Sequence, residues 1–212
     1  MDTNAKYSFS FTGASALIAE TISIAVVYKR LGNWDEVKKS TSDQNLLNKV
    51  KHATFIREFS EIKKRLLLLT DEQLNLLLNG NPDDVKAMVF VMLLKSYTFL
   101  YDFVAEVVRN KYFLFDNNIT DSDYARFVNT KILIHNELAN LSEQTAKKVK
   151  QVIFTFLNQV GLITGRTNGI IIKPYLSDVS IKAIVCDQPR FLACFLFSNA
   201  EIHSAIKTLS HD

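Results

Sequence analysis

Gln144, Lys147, Lys148, Gln151 and Thr155 recur at steps of three and four, the spacing that stacks side chains on one side of an α-helix. Lysine ammonium groups reach phosphates, and Gln, Thr and Lys side chains reach base edges, so such a face is equipped to lie against a nucleic-acid duplex. Val149, Val152, Ile153, Phe156, Leu157 and Val160 form the apolar stripe that would press this helix onto a core. Lys150 falls at the margin between the two faces. Beyond Gly161, the apolar runs Leu162-Ile163 and Ile170-Ile171-Ile172 flank Gly165-Arg166-Thr167-Asn168-Gly169. That pattern predicts a β-hairpin with Arg166 at its tip. Helix, break, amphipathic helix and hairpin is the order of a winged helix-turn-helix, whose second helix enters the major groove while the wing grips the adjacent backbone. A solvated helix face also carries lysines, but the hairpin directly after this helix tips the choice toward DNA.

A second basic segment sets Lys49, Lys51, Arg57, Lys63, Lys64 and Arg65 against Glu58 and Glu61. Phe55, Phe59, Ile62, Leu66 and Leu69 mark an amphipathic helix from Thr54. Arg57, Glu61 and Lys64 share one side of it, and Arg57 and Glu61 are spaced to pair with each other. A short preceding helix and a turn at His52-Ala53-Thr54 give a helix-turn-helix outline without a wing. Arg57 and Lys64 are therefore the second set of expected DNA contacts.

Other chemistries lack their residues. The four histidines, His52, His135, His203 and His211, are scattered, with no pair spaced to hold a metal. No phosphate-cradling loop and no serine nucleophile elbow is present. Asp116, Asn118 and Thr120 begin like a calcium loop, but Asp121 stands where the turn needs Gly and Phe127 where a bidentate Glu belongs. Asp35-Glu36 and Asp83-Asp84 sit at helix starts, where the helix dipole favours them. Cys186 and Cys194 have no ligand partners and read as small hydrophobes of a reducing compartment. The expectation is a chain that is not an enzyme and needs no cofactor, metal or small-molecule substrate.

The elements that must position these faces are helices. Six Gly and three Pro in 212 residues are too few for the tight turns of an all-β chain, and 48% hydrophobic residues suffice for a real core. A net charge of +3 is by itself weak support for a nucleic-acid partner. The pattern divides into three blocks. Residues 1–81 form a helical, helix-turn-helix-like unit. In it an apolar helix from Ala14 to Leu31 is capped by Thr12 or Ser15, and a short helix from Trp34 to Lys39 breaks at Ser40-Thr41-Ser42-Asp43. Residues 82–115 form one long buried helix opening at Pro82. Residues 116–212 form a winged-helix-like unit, capped at Thr120 and followed by closing helices that Pro189 separates. The fold class is thus mainly α. The apolar run Val85–Val108 is interrupted by Lys86, Lys95, Asp102 and Glu106, so that its longest clean stretch, Ala87 to Leu94, falls short of the roughly 20 residues a membrane span needs. Without a signal-peptide pattern at the start, the expected location is cytoplasmic.

An ordered set of segments resembles the BrxA family of bacterial BREX phage-defence systems. They are Tyr7-Ser-Phe-Ser-Phe-Thr-Gly-Ala-Ser15, Asn33-Trp-Asp-Glu-Val37, Asn45-Leu-Leu47, Ile62-Lys-Lys-Arg-Leu66, Tyr101-Asp-Phe-Val-Ala-Glu-Val-Val108 and Thr145-Ala-Lys-Lys-Val149. The resemblance implies a helical, non-enzymatic accessory protein that binds double-stranded DNA beside a methyltransferase, an ATPase and other BREX subunits. The family has been likened to the antitermination factor NusB, which keeps RNA binding open as an alternative. The other alternative is a protein–protein adaptor. One continuous positive strip over the last helix and wing would favour nucleic acid. Basic residues scattered among acids, beside an exposed apolar patch, would favour the adaptor.

Overall fold

The computed structural model describes residues 6–13, 16–165 and 168–210. The chain enters as an extended strap that tightens into a 3-10 turn at Ser10–Gly13. Thr12, expected as a helix cap, instead donates its hydroxyl to the Phe9 carbonyl at 3.0 Å, while Ser15 lies outside the described residues. Helix α1 (Ile18–Leu31) therefore begins without a side-chain cap, after Leu17 in the left-handed region at φ 54°. It ends at Gly32, whose φ of 68° suits a residue without a Cβ. Asn33 accepts from Asp35 and Glu36 and opens α2 (Trp34–Asp43). That helix runs straight through the Ser-Thr-Ser-Asp segment where a break was expected, because Thr41 is fully buried on its inner side.

Helix α3 (His52–Leu66) carries the second basic segment. Reciprocal capping boxes at Thr70 with Gln73 and at Asn81 with Asp84 start α4 (Asp71–Asn79) and α5 (Pro82–Ser96). The single long helix expected over 82–115 is not formed. At Tyr97 the backbone leaves helical geometry, with φ −134° and ψ 96°. The chain from Thr98 to Phe113 then turns 111° away from α5. It comprises α6 (Thr98–Phe103), one π-helical turn (Val104–Val108) and α7 (Arg109–Phe113). The cause is tertiary: the Tyr97 phenol is drawn into a buried polar network with Arg65 and Glu61. No Pro or Gly marks the place, so the apolar pattern runs on unbroken across it. Residues Ala87–Leu94 of α5 are all buried, which explains the hydrophobic run as core. No single helix among the described residues is long and apolar enough to cross a membrane.

The last part follows the sequence of α8 (Asp121–Ile132), the short α9 (Asn136–Ala139) and α10 (Glu143–Gln159). Next come residues 162–172, α11 (Asp178–Val185), a 3-10 segment (Pro189–Phe195) and α12 (Asn199–Leu209). The expected hairpin arms do meet, at an antiparallel bridge between Ile163 and Ile171 and through Thr164 N–H to the Ile170 carbonyl at 2.9 Å. The named strands are different, however. Strand β1 (Asn118–Ile119), just before α8, pairs antiparallel with β2 (Gly169–Ile170), Asn118 opposite Ile170 and Ile119 opposite Gly169. The segment Asn117–Thr120, expected only to bring the cap Thr120 to α8, therefore also lays an edge along the hairpin.

Gly169 shows how tightly the arms are pressed. A Cβ built there would lie 2.0 Å from the Thr164 carbonyl oxygen, a backbone atom with little room to yield. Gly169→Ala is expected to cost about 1–3 kcal/mol. In a chain of this size, that lowers the thermal midpoint by about 2–12 °C, readable by circular dichroism.

One contiguous cluster of buried side chains extends from Tyr7 to Leu196. The N-terminal strap stitches it together. Tyr7 stacks on His135 at 3.7 Å and donates its hydroxyl to Asp102 at 2.6 Å. Phe11 wedges between Tyr97 and Phe156. The strap thereby brings α3 and α10, distant in sequence, to either side of one surface.

Candidate nucleic-acid interface

Ser142 accepts the Thr145 N–H and starts α10. The apolar stripe is buried as its spacing predicts: Val149, Val152, Ile153, Phe156, Leu157 and Val160 are all in the core. Phe154 is buried as well, which the stripe alone did not show. It packs against Phe103 and Tyr124 and widens the inward face. Outward, Gln144, Lys147, Lys148 and Gln151 are exposed, while Lys150 and Thr155 are half-buried.

Two of the three lysines already hold a carboxylate. Lys147 pairs with Glu143 at 2.6 Å, and Lys150 with Asp121 in the first turn of α8 at 2.8 Å. Among the described residues, Lys148 donates only to the neutral Gln151 side chain, at 3.3 Å. Thr155 spends its hydroxyl on the Gln151 backbone carbonyl at 2.8 Å, a local bond that turns it away from a base edge. Arg166, the expected wing-tip cation, lies outside the described residues.

On α3 the expected Arg57–Glu61 pair is absent. Glu61 turns inward and accepts hydrogen bonds from Ser10 at 3.2 Å and from the Tyr97 hydroxyl. Burial, ahead of the neighbouring charges, pushes the Tyr97 phenol up and keeps it a donor. Arg57 is left exposed, with no hydrogen bond or ion pair among the described residues. The Gly13 backbone passes so close that a Cβ there would lie 3.0 Å from the Arg57 Nε.

The two candidate sets then converge in part. Arg57 of α3 and Lys148, Gln151 and Thr155 of α10 line a single groove of about 570 Å³, with Thr12 and Gly13 of the strap between them. Lys49 and Glu58, paired at 3.1 Å, lie along the same groove. Lys64 is elsewhere. Together with Lys38, Lys63 and Trp34 it lines a different groove of about 440 Å³, so it does not share a surface patch with Arg57 as its spacing predicts. Arg65, grouped by sequence with the basic segment, is fully buried.

Asp123 fixes the entry to α8 and so the angle of the helices that follow. Its Oδ2 accepts from the Thr120 N–H at 2.9 Å, the Thr120 hydroxyl at 2.7 Å and Lys111 at 3.2 Å. Burial alone would raise this carboxyl, but the hydrogen bonds from Thr120 and Lys111 outweigh it and hold the pKa below the usual carboxylate range. A depressed folded-state pKa contributes stability above the unfolded value, about 3.9, and loses it as pH falls below. The melting temperatures of the native chain and Asp123→Asn are thus expected to differ at neutral pH and to converge on acidification toward pH ~3.

Comparison with known proteins follows the same elements. The family model described as BrxA matches residues 5–186. The chain belongs to the BrxA family. A relative from Bacillus cereus (strain H3081.97), named BREX protein BrxA, is 22% identical over 172 residues, covering 81% of this chain and 86% of that protein. Among solved structures, an uncharacterized protein from Magnetospirillum magneticum superposes with a TM-score of 0.77 at 20% identity, covering 90% of this chain and 98% of that one. At that identity the likeness shows the fold alone. The BrxA match takes in α1 to α11 and every groove residue; α12 lies beyond it.

Proposed function

We propose that this BrxA-family chain is a non-enzymatic component of a BREX phage-defence system that binds double-stranded DNA. The name of the Bacillus cereus relative supports the BREX assignment. The observation that carries DNA binding is the convergence of Arg57 with Lys148 and Gln151 on one groove between α3 and α10. These side chains are exposed and without carboxylate partners among the described residues, so phosphates meet cations that need not first break an ion pair. The order β1, α8, α10 and then a hairpin whose arm pairs back with β1 is consistent with a winged helix-turn-helix, α10 being the helix offered to the major groove. Lys147 and Lys150 join by exchanging Glu143 and Asp121 for phosphate. Gln151 is the residue best placed to read a base edge, Thr155 being occupied.

A gel-shift titration against unrelated duplexes at low and moderate salt tests this, with Lys147→Glu/Lys148→Glu alongside. Binding that weakens with salt and collapses in the variant is the expected result. Folded protein that shifts no duplex at low salt would refute it.

A second reading, an adaptor that docks another subunit, has its own observation. Leu114 and Phe115 are 78% and 90% exposed, and Ile170 and Ile172 stand out on the hairpin arm beside β1. The interleaving of Glu143 and Asp121 with the α10 lysines also falls short of an unbroken positive strip.

A further inference from the structure

The groove that holds Lys64 supports a second function, independent of DNA binding. Its apolar floor is Trp34, at the start of α2, and Phe59 of α3, whose rings meet edge to face at 6.2 Å; Leu67 closes one end and is 57% exposed. Around this floor stand Lys38, Lys63 and Lys64, with Asp35 the one acid among the lining residues. None of the three lysines has a carboxylate partner among the described residues, unlike Lys147 and Lys150 on α10. Lys63 instead hangs over the Trp34 ring at 5.3 Å, and Lys64 over the Tyr97 ring at 5.8 Å. Three unneutralised cations rimming an apolar trough are complementary to a ligand that brings carboxylates and apolar side chains together.

Two features favour a protein segment over a nucleic acid. The indole is no free stacking platform, since Tyr28 covers one face at 4.2 Å and Lys63 stands over the ring. Leu67 and the neighbouring exposed Leu68 offer nothing to a phosphate backbone, but they do offer apolar area to Leu or Phe side chains. We propose that the groove between α2 and the C-terminal half of α3 docks an acidic, leucine- or phenylalanine-bearing peptide segment of a partner protein. The peptide's apolar residues rest on Leu67 and the half-buried Trp34, above the buried Phe59, and its carboxylates take Lys38, Lys63 and Lys64. Lys64 is then a protein contact rather than a DNA contact.

Trp34 is the only tryptophan of the chain, so its emission reports this groove directly. The probes are short synthetic peptides free of Trp: one with alternating Glu and Leu/Phe, one with the same apolar residues and Lys for Glu, and one with Glu but no apolar residues. The first is expected to change Trp34 emission saturably, with affinity falling as salt rises; the other two bind at least about tenfold more weakly. Lys38→Glu/Lys64→Glu, on the exposed rim, is expected to weaken the first peptide at least about tenfold. Leu67→Ser weakens it with all charges kept, and both variants keep the native melting temperature. No saturable change with the acidic apolar peptide, or equal binding of the basic one, overturns the proposal. So does duplex DNA that alters Trp34 emission and displaces the peptide, for the groove is then a nucleic-acid site. Loss of DNA binding in the α10 variants with the peptide still bound leaves this proposal standing, whatever becomes of the DNA reading.

Discussion

Arg65→Ala is expected to lower the thermal midpoint by about 6–20 °C, the shift that a loss of about 3–5 kcal/mol produces in a chain of this size. Arg65 is fully buried in α3. Its Nε donates to the Tyr97 hydroxyl at 2.7 Å, and its Nη1 to the Ala16 carbonyl at 3.3 Å. The Glu61 carboxylate lies 3.8 Å from the Nε. The guanidinium plane also lies over the Tyr97 and Phe156 rings, at 5.3 and 5.8 Å. Truncation would strand the Ala16 carbonyl and a buried carboxylate–phenol pair in a medium without water, which costs far more than the Arg interactions are worth net. Arg65→Lys keeps the charge but not the planar fork, and should recover only part of the loss. Lys86→Ala, on the exposed side of α5, should stay within about 0.5 kcal/mol of the native chain. Because Arg65 bridges α3 to Phe156 of α10, its loss should also weaken DNA binding in protein that remains folded.

The second large effect falls on binding. For each phosphate neutralised, log K changes by about 0.9 per tenfold change in salt. At about 0.1 M salt, losing two contacts then costs roughly 60-fold in affinity from counterion release alone. Arg57→Ala/Lys148→Ala is expected to show that loss on a fluorescent duplex, and each single variant roughly 8-fold. Lys147→Ala should lose less than Lys148→Ala, because in the free protein Lys147 already holds Glu143 and must give that pair up to reach DNA. Equal losses at 147 and 148 would mean that the Glu143 pair does not matter.

The local signals in the sequence were strong where a side chain acts on its own backbone. Thr120 announces a helix start because its cap bonds within three residues, and Thr70, Asn81 and Ser142 cap their helices in the same local way. The buried stripe of α10 was readable because a helix face repeats. What stayed hidden depends on partners far along the chain. Tyr97 breaks the expected long helix because Arg65 and Glu61 hold its phenol, 32 and 36 residues away. Asn118-Ile119 becomes a strand only because Ile170 and Gly169 lie beside it. Glu61 leaves Arg57 for the same network, so the i,i+4 spacing that suggested their pairing was outweighed by a buried acceptor's need for donors. Periodicity sets Lys64 opposite the apolar stripe of α3 and leaves Arg65 at the stripe's margin; the aromatic rings around Arg65 decide its full burial. Of the candidate site, the α10 half could be read from spacing. Its junction with Arg57 is set by the strap, where Phe11 and Gly13 close the distance between two helices far apart in sequence.

The central claim is that one duplex touches α3 and α10 together. The measurement that tests it is the slope of log K against log salt between about 50 and 200 mM, for the native chain, Arg57→Ala, Lys148→Ala and the double variant. We expect each single substitution to make the slope shallower by about 0.9 and the double by about 1.8. A slope that changes with Lys148→Ala but stays native in Arg57→Ala would contradict it, leaving α10 as a reader that works without α3.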